Sequence, residues 1–299
     1  MKLALHSVTY SGIAYKGQCS LSLEKNISKA AELGFDAIHL MAKRPHVSPL
    51  DLDKEAQEHI KRLVKSKQLE ISCLAAYNDF ADPSPYRREV ELYYLKGVIG
   101  LANSLGVKIV RIFASGMGSM HLGASYAQQW NWIADGIREA AKCAEEYGII
   151  LALQNHSPIM QSYKSVLAMI KEVNSESLKV ALDAQLLTLA NEPCAEAVRE
   201  VGDLIAYSTC GDNIIKPGPF ERTPAGIRRL ETWEMVPLGE GQVDWKPFIG
   251  ALKEVGYDNF LAYEICGPIV GGGQENNLDL SVRKSVEYLR KLLAQAGYA

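Results

Sequence analysis

The sequence predicts a single (β/α)8 barrel over residues 1–299, and three observations carry that prediction. One phrase recurs five times: a polar run of helical period reaches a glycine, and an apolar run follows. The copies are ELGFDAIHL around Gly34, SLGVKIVRIF around Gly106, EYGIILALQNH around Gly148, EVGDLIAYST around Gly202 and EVGYDNFLAYE around Gly256. A glycine there suits the left-handed residue that ends a helix. Second, the apolar runs do not alternate with polar residues, which fits strands buried on both faces of a parallel sheet. Third, 299 residues is the length of one such barrel with insertions, and no Pro/Ser/Gly-rich linker divides the chain.

The elements follow in order. LALHSVTY at 3–10 is the first strand, and LEKNISKAAELG a helix leading to the second strand through Gly34. HIKRLVKSK at 59–67 is the solvated face of a helix, and LEISCLAAYNDF at 69–80 contains the third strand. REVELYYLKGVIGLANSLG has helical periodicity and feeds the fourth strand, and WNWIADGIREAAKCAEEYG feeds the fifth. KSVLAMIKEVN precedes the sixth strand, LKVALDAQL at 178–186, and the seventh follows Gly202. WKPFIGALKEVG leads into the eighth strand, and LSVRKSVEYLRKLLAQAG closes the barrel as its last helix. No GxGxxG follows the first strand, which weighs against an open dinucleotide-binding sheet.

Composition narrows the partners. A formal charge of -3 with scattered Lys and Arg argues against a nucleic-acid surface. No stretch approaches the roughly 20 apolar residues of a membrane span. MKLALHSVTY lacks the apolar core and cleavage site of a signal peptide, and the six cysteines form no CxxC pair. A cytoplasmic protein with reduced thiols is therefore expected. Cys210 and Cys266 stand beside strand ends, but no base adjoins either in the sequence.

Parallel α/β folds gather their chemistry at the carboxyl ends of strands. His39, Arg111, Gln154, His156, Thr209 and Glu264 occupy such ends. Three long loops follow strands and would overhang the same mouth: Ala42–Leu52, Ala114–Ser125 and Asp212–Thr232. The first and third carry Lys43, Arg44, His46, Lys216, Glu221 and Arg222. Substrate-binding candidates are His6, His39, Asn78, Arg111 and Lys216. A hydrogen-bonded structural role competes for His6 and His39, and a buried ion pair competes for Arg111.

Several segments together resemble the sugar phosphate isomerase/epimerase family, the xylose-isomerase-like TIM barrels. They are AAYNDFADP (75–83), LANSLGVKIVRIFAS (101–115), LALQNHSP (151–158), VALDAQ (180–185), STCGDN (208–213) and VPLGEGQVDWKPFIGALKEVGYDNFLAYE (236–264). The resemblance runs nearly end to end. It implies a small-molecule sugar or cyclitol substrate, often a dimer or tetramer, and one divalent metal held by Glu, Asp, His and Glu ending strands five to eight. This chain keeps Asp183 and Glu264 but has Gln154 and Thr209 at the other two places, and Leu186 where a His is usual.

A Gln carbonyl and a Thr hydroxyl still ligate hard cations, so the implied set Gln154, Asp183, Thr209 and Glu264 would hold weakly bound Mg2+ or Mn2+ rather than zinc. Gln154 has no useful basicity, so a two-base epimerisation loses a partner. One-base chemistry survives, with Glu264 or His156 removing a proton next to a carbonyl. An isomerase or lyase is the leading expectation, including a lyase for 3-oxo-glycosides and C-glycosides. The alternative is a non-catalytic barrel serving as a ligand-binding or partner subunit, which the three replacements favour.

Overall fold

The helix-ending glycines stand where the refrain puts them. Gly106 and Gly148 sit at φ 75° and 59° in the left-handed region, closing two long helices just before a strand begins. A side chain at either position would adopt a conformation that costs an L-residue energy. The computed structural model describes residues 1–116, 120–224 and 226–298. It is a closed barrel of eight parallel strands. The chain order is β1 (Lys2–His6), α1 (Leu23–Glu32), β2 (Ala37–Met41), α2 (Lys54–Ser66), β3 (Glu70–Ala75), α3 (Pro85–Leu105), β4 (Ile109–Ile112) and α4 (Tyr126–Tyr147). Then come β5 (Ile150–Gln154), α5 (Ser157–Met160), α6 (Tyr163–Val173), β6 (Leu178–Asp183), α7 (Ala184–Leu189), α8 (Cys194–Val201) and β7 (Ile205–Cys210). After β8 (Asp212–Thr223) and β9 (Gly226–Val236), α9 (Trp245–Glu254), β10 (Phe260–Tyr263) and α10 (Glu275–Gln295) complete the chain.

Strands β1 to β7 pair in sequence order, and β10 closes the ring between β7 and β1. Helix starts are marked by local chemistry: Ser22, Asp53, Ser84, Ser125 and Ser162 each accept a backbone N–H from the first turn. The apolar faces of these helices pack on the outside of the barrel around buried Leu3, Leu5, Ile38, Leu40, Val110 and Leu153. Inside, Ala4, Ala37, Ala152, Ala181 and Ala262 form a layer of small side chains. The room they leave is filled by Tyr207, whose hydroxyl meets Ser72 Oγ at 2.7 Å. Above Tyr207 stands His39, edge-on at 5.1 Å, and above that His6, stacked on His39 at 3.9 Å. The barrel axis is thus an aromatic column rising to the carboxyl ends of the strands.

Three expectations need adjustment. The first strand ends at His6, and Ser7–Tyr10 is a 3-10 turn. A 3-10 turn also lies between α8 and β7, at Gly202–Leu204. The excursion at 212–232 is no irregular loop: β8 and β9 form an antiparallel hairpin that stands outside the barrel. Pro217, Gly218 and Pro219 conceal it in the sequence, because they interrupt the alternation and shift the register between Pro217 and Phe220. Of the loop at 114–125, residues 117–119 lie outside the described residues. No helix among the described residues is long and apolar enough to cross a membrane. All six cysteines are free thiols.

Candidate active site

Glu264 follows the last residue of β10, and its backbone N–H donates to Cys210 O at 3.0 Å, which fixes it at the mouth. It lines a pocket with Val8, Met41, Lys43, Tyr77, Arg111, Phe113, Gln154, His156 and Cys266. Its carboxylate is 3.6 Å from His6 Nε2. Removal from water pushes its pKa up to about 8; the nearby Asp183 charge adds to the rise and Arg111 opposes it. His156 lines the same pocket, tilted against the Phe113 ring at 4.3 Å, with no partner for its Nδ1 among the described residues. Burial lowers it to about 4, so at neutral pH it is an uncharged imidazole.

Gln154, Asp183 and Thr209 end the adjacent strands β5, β6 and β7, and they bond to one another. Gln154 Nε2 donates to Asp183 Oδ2 at 3.1 Å and to Thr209 Oγ1 at 3.0 Å. Thr209 Oγ1 in turn donates to Asp183 Oδ2 at 2.5 Å, and Leu186 N donates to Asp183 Oδ1 at 2.9 Å. The Asp183 backbone is held from the other side by Asn155, whose Oδ1 accepts its N–H at 2.8 Å. The amide orientation is assigned from hydrogen bonding, since this way round Nε2 finds two acceptors, Asp183 Oδ2 and Thr209 Oγ1.

This arrangement does not fit the divalent cation that the sequence led us to expect at Gln154, Asp183, Thr209 and Glu264. Gln154 offers N–H groups where a ligand oxygen is needed, and both Asp183 oxygens already accept hydrogen bonds. Among the described residues, no group of three His, Cys, Asp or Glu is placed to hold a metal ion. Hard cations need several converging oxygens, most of them anionic. Of the four expected ligands, Gln154 and Glu264 line the pocket, while Asp183 and Thr209 lie buried behind Gln154.

The substrate-binding candidates divide. Arg111 lines the pocket and is only 2% exposed. No carboxylate lies within ion-pair distance of it among the described residues, so the competing reading of a buried ion pair does not hold. His6 stands just below, with Nδ1 at 3.1 Å from His39 O and Nε2 at 3.3 Å from the Tyr77 hydroxyl. His39 is a layer deeper and fully buried; it packs rather than lines. Asn78 clasps the end of β4, donating to Phe113 O at 2.6 Å and accepting from Phe113 N at 3.2 Å. Lys216 is carried away on the hairpin, where it pairs with Glu234.

Four pocket residues were not singled out as binders from the sequence. Lys43, from the first overhanging loop, places Nζ 3.6 Å from the Tyr77 ring centre. Tyr77 and Phe113 both lie against the Arg111 guanidinium, at 4.8 and 4.0 Å. Cys266 lies two residues past Glu264, and burial together with that carboxylate raises its thiol well above the usual range. A reactive thiolate is therefore not what it supplies.

The PLGEGQVDW stretch (237–245), the most specific part of the resemblance, proves to be a clamp on Asp212. The Asp212 carboxylate accepts from Gly239 N, Gly241 N, Val243 N and Trp245 Nε1, besides Asn213 N. A Cβ at Gly241 would fall 2.1 Å from Asp212 Oδ1, so only glycine permits that approach. The clamp fixes the base of the hairpin beside the mouth.

Known proteins share this architecture end to end. Fructoselysine 3-epimerase of Shigella flexneri is 23% identical over 297 residues, covering 95% of this chain and 98% of that protein. The structure of D-psicose 3-epimerase with D-tagatose, from Clostridium cellulolyticum H10, superposes with a TM-score of 0.77 at 18% identity, covering 98% and 99% of the two chains. The 3-keto-D-glucoside 4-epimerase of E. coli superposes with a TM-score of 0.74 at 16% identity, covering 97% and 99%. The family model for xylose isomerase-like TIM barrels matches residues 27–292, nearly the whole of the barrel described above, and the chain belongs to that family.

Proposed function

We propose that this protein is a sugar isomerase or epimerase-like enzyme that removes a proton next to a carbonyl of a sugar or cyclitol derivative. The observation that carries this is the shared pocket of Glu264 and His156, which Gln154, two residues before His156 at the end of β5, also lines. Glu264, when ionised, is the one carboxylate lining that pocket and is the base. His156, uncharged and with no partner for Nδ1 among the described residues, hydrogen-bonds a substrate oxygen, and the protonated Glu264 returns the proton. Neutral imidazole is suited to that role because it donates or accepts a hydrogen bond without carrying a buried charge.

Gln154 shapes which reaction follows. Epimerisation by two bases needs an acceptor on each face of the carbon, and an amide cannot be one. A single base supports isomerisation, in which the proton returns at the neighbouring carbon. It equally supports elimination. There the C–H proton passes to Glu264, the electron pair forms a C=C bond, and the bond to a substituent two carbons from the carbonyl breaks. That substituent leaves with the electron pair and takes up a proton. A 3-oxo-glycoside or C-glycoside lyase is this second case. The names of the relatives, a fructoselysine epimerase and a keto-glucoside epimerase among them, support a keto-sugar as the substrate. No step here uses a metal, since the donor set does not fit one.

The test is solvent exchange. Incubation in D2O with D-fructose, D-psicose, D-tagatose and a 3-keto-glucoside, followed by proton NMR, is expected to show loss of the signal at the carbon next to the carbonyl for at least one of them. Release of the aglycone from the keto-glucoside marks the lyase. Absence of exchange and of release across the panel would favour a non-catalytic binding barrel instead.

A further inference from the structure

The pocket holds two cations, Arg111 and Lys43, against one carboxylate, Glu264, and among the described residues neither cation has a carboxylate within ion-pair distance. Arg111 is 2% exposed, its guanidinium donates from Nη1 to Ala76 O at 3.1 Å, and its Nε has no partner among the described residues. Lys43 is half-buried, has no hydrogen-bonded partner among the described residues, and faces the same Tyr77 ring from 3.6 Å. A guanidinium cannot shed its proton at any ordinary pH. Burying it without an ion-pair partner is unfavourable, as it is for any unpaired buried ion. The rings of Tyr77 and Phe113 offset part of that through their negative faces. Two like charges against one ring also repel: burial first, and then the Arg111 charge, lower the Lys43 pKa. The cationic surplus is stored in the pocket and is relieved by an anion placed in it.

Other basic side chains of the protein show the contrast. Lys29 binds Asp279 and Glu275, Arg199 binds Glu254, and Arg290 binds Asp36. The two cations that line the pocket are left without such a partner.

We propose that Lys43 and Arg111 form an anion subsite and that the physiological ligand carries an oxyanion, the carboxylate of an acidic sugar or the phosphate of a sugar ester. The unpartnered Nε edge of Arg111 suits an oxygen pair approached in the guanidinium plane, and Lys43 supplies a second point charge against the same Tyr77 ring. This rests on the pocket being the ligand site of the proposed enzyme. It does not depend on Glu264 or on any turnover.

Binding at equilibrium tests it, which keeps it separate from the catalytic reading. Calorimetric titration with D-glucuronate, D-glucose 6-phosphate and neutral D-glucose compares two anions with one uncharged skeleton. At least one anion is expected to bind about tenfold or more tightly than glucose, the value of one modest charge contact. Salt weakens that preference. Lys43→Met keeps the methylene packing over Tyr77 and is expected to remove most of the preference, while Lys43→Arg retains it. A preference for glucuronate identifies a carboxylate, and one for the phosphate ester identifies a phosphate. Equal affinities for all three sugars, no measurable binding of either anion, or an anion preference unchanged in Lys43→Met with native melting behaviour would overturn the proposal.

Discussion

Gln154 turns its amide N–H toward the Asp183 carboxylate from the neighbouring strand, Nε2 to Oδ2 at 3.1 Å, and donates its second N–H to Thr209. A hydrogen-bonded triad thus occupies the place where the family resemblance implies a metal shell. The replacement of an acidic residue by Gln and of a His by Thr is mutually consistent. A second carboxylate at 154 would face Asp183 with no cation between them, and the amide removes that repulsion while completing the bonds of its neighbour.

Metal removal follows directly. Dialysis against a chelator is expected to leave the melting temperature and any measured turnover within error of the untreated protein. Gln154→Glu reverses the situation by setting a carboxylate against Asp183. Without divalent ions that variant should lose about 1–3 kcal/mol, the cost of a disrupted buried hydrogen bond. Millimolar Mn2+ should restore part of the loss, because an ion that binds only the folded state stabilises it by mass action. Thermal melts of both proteins with and without Mn2+ decide the matter. A wild-type melt that collapses on chelation would contradict the triad.

The base is tested by substitution. Glu264→Gln is expected to lower turnover at least about a hundredfold, the lower range for loss of a general base. His156→Ala should lower it comparably if the imidazole handles the proton at a substrate oxygen. Both are read as initial rates on whichever keto-sugar exchanges deuterium. Near-wild-type rates in both variants would end the enolisation mechanism.

Much of the site was readable before the structure because its determinants are local. Helix-ending glycines and apolar strand runs mark where each strand stops, and that places Gln154, His156 and Glu264 at the mouth without tertiary information. What stayed hidden depends on contacts between distant segments. Lys43 reaches the pocket because its loop is tied down by His46, whose Nδ1 meets Ser7 Oγ at 3.0 Å and whose Nε2 meets Asn26 at 3.2 Å. Nothing in the loop's own sequence announces those partners. Lys216 reads as an equally good binder, yet the hairpin directs it to Glu234. Asn78 is absorbed by the Phe113 backbone, a bond whose partner lies 35 residues away. The direction of the Gln154 amide is set wholly by what surrounds it.

The pH dependence has a definite sign. Burial raises the Glu264 pKa from an ordinary carboxylate value to about 8, so the folded protein holds a proton that the unfolded chain has released. Its contribution to stability is fully present below about pH 4.5, the unfolded value. It is lost as pH rises through about 8, since stability falls wherever the folded state binds more protons. Activity moves the other way, because the base must be ionised: the rate is expected to climb with a midpoint near 8. His156 acts at the other end. Its folded pKa of about 4 lies below the ordinary imidazole value of 6.5, so acidification through that window favours the unfolded chain. Denaturant melts across pH 4 to 9 should therefore show Glu264→Gln flattening the alkaline decline and leaving the acid limb in place. An unchanged alkaline limb in that variant would show that Glu264 titrates normally.

Asp212 tests the clamp rather than the chemistry. Its fully buried carboxylate gathers four backbone N–H groups and the Trp245 indole, and it joins the start of the hairpin to the segment leading into α9. Asp212→Ala strips the acceptor from all of these at once. A loss of at least about 3 kcal/mol is expected, since each buried donor left without a partner costs about 1–3 kcal/mol. Asp212→Asn keeps the shape but replaces one acceptor oxygen with a donor, and should cost less than the alanine variant while still exceeding about 1 kcal/mol. Urea unfolding measures both. The asparagine variant, which retains the fold at moderate cost, should also release the hairpin locally, and faster amide hydrogen exchange in β8 and β9 than in the barrel strands is its signature. A loss below about 1 kcal/mol in Asp212→Ala, with unchanged exchange in the hairpin, would mean that the PLGEG segment holds its conformation without this carboxylate.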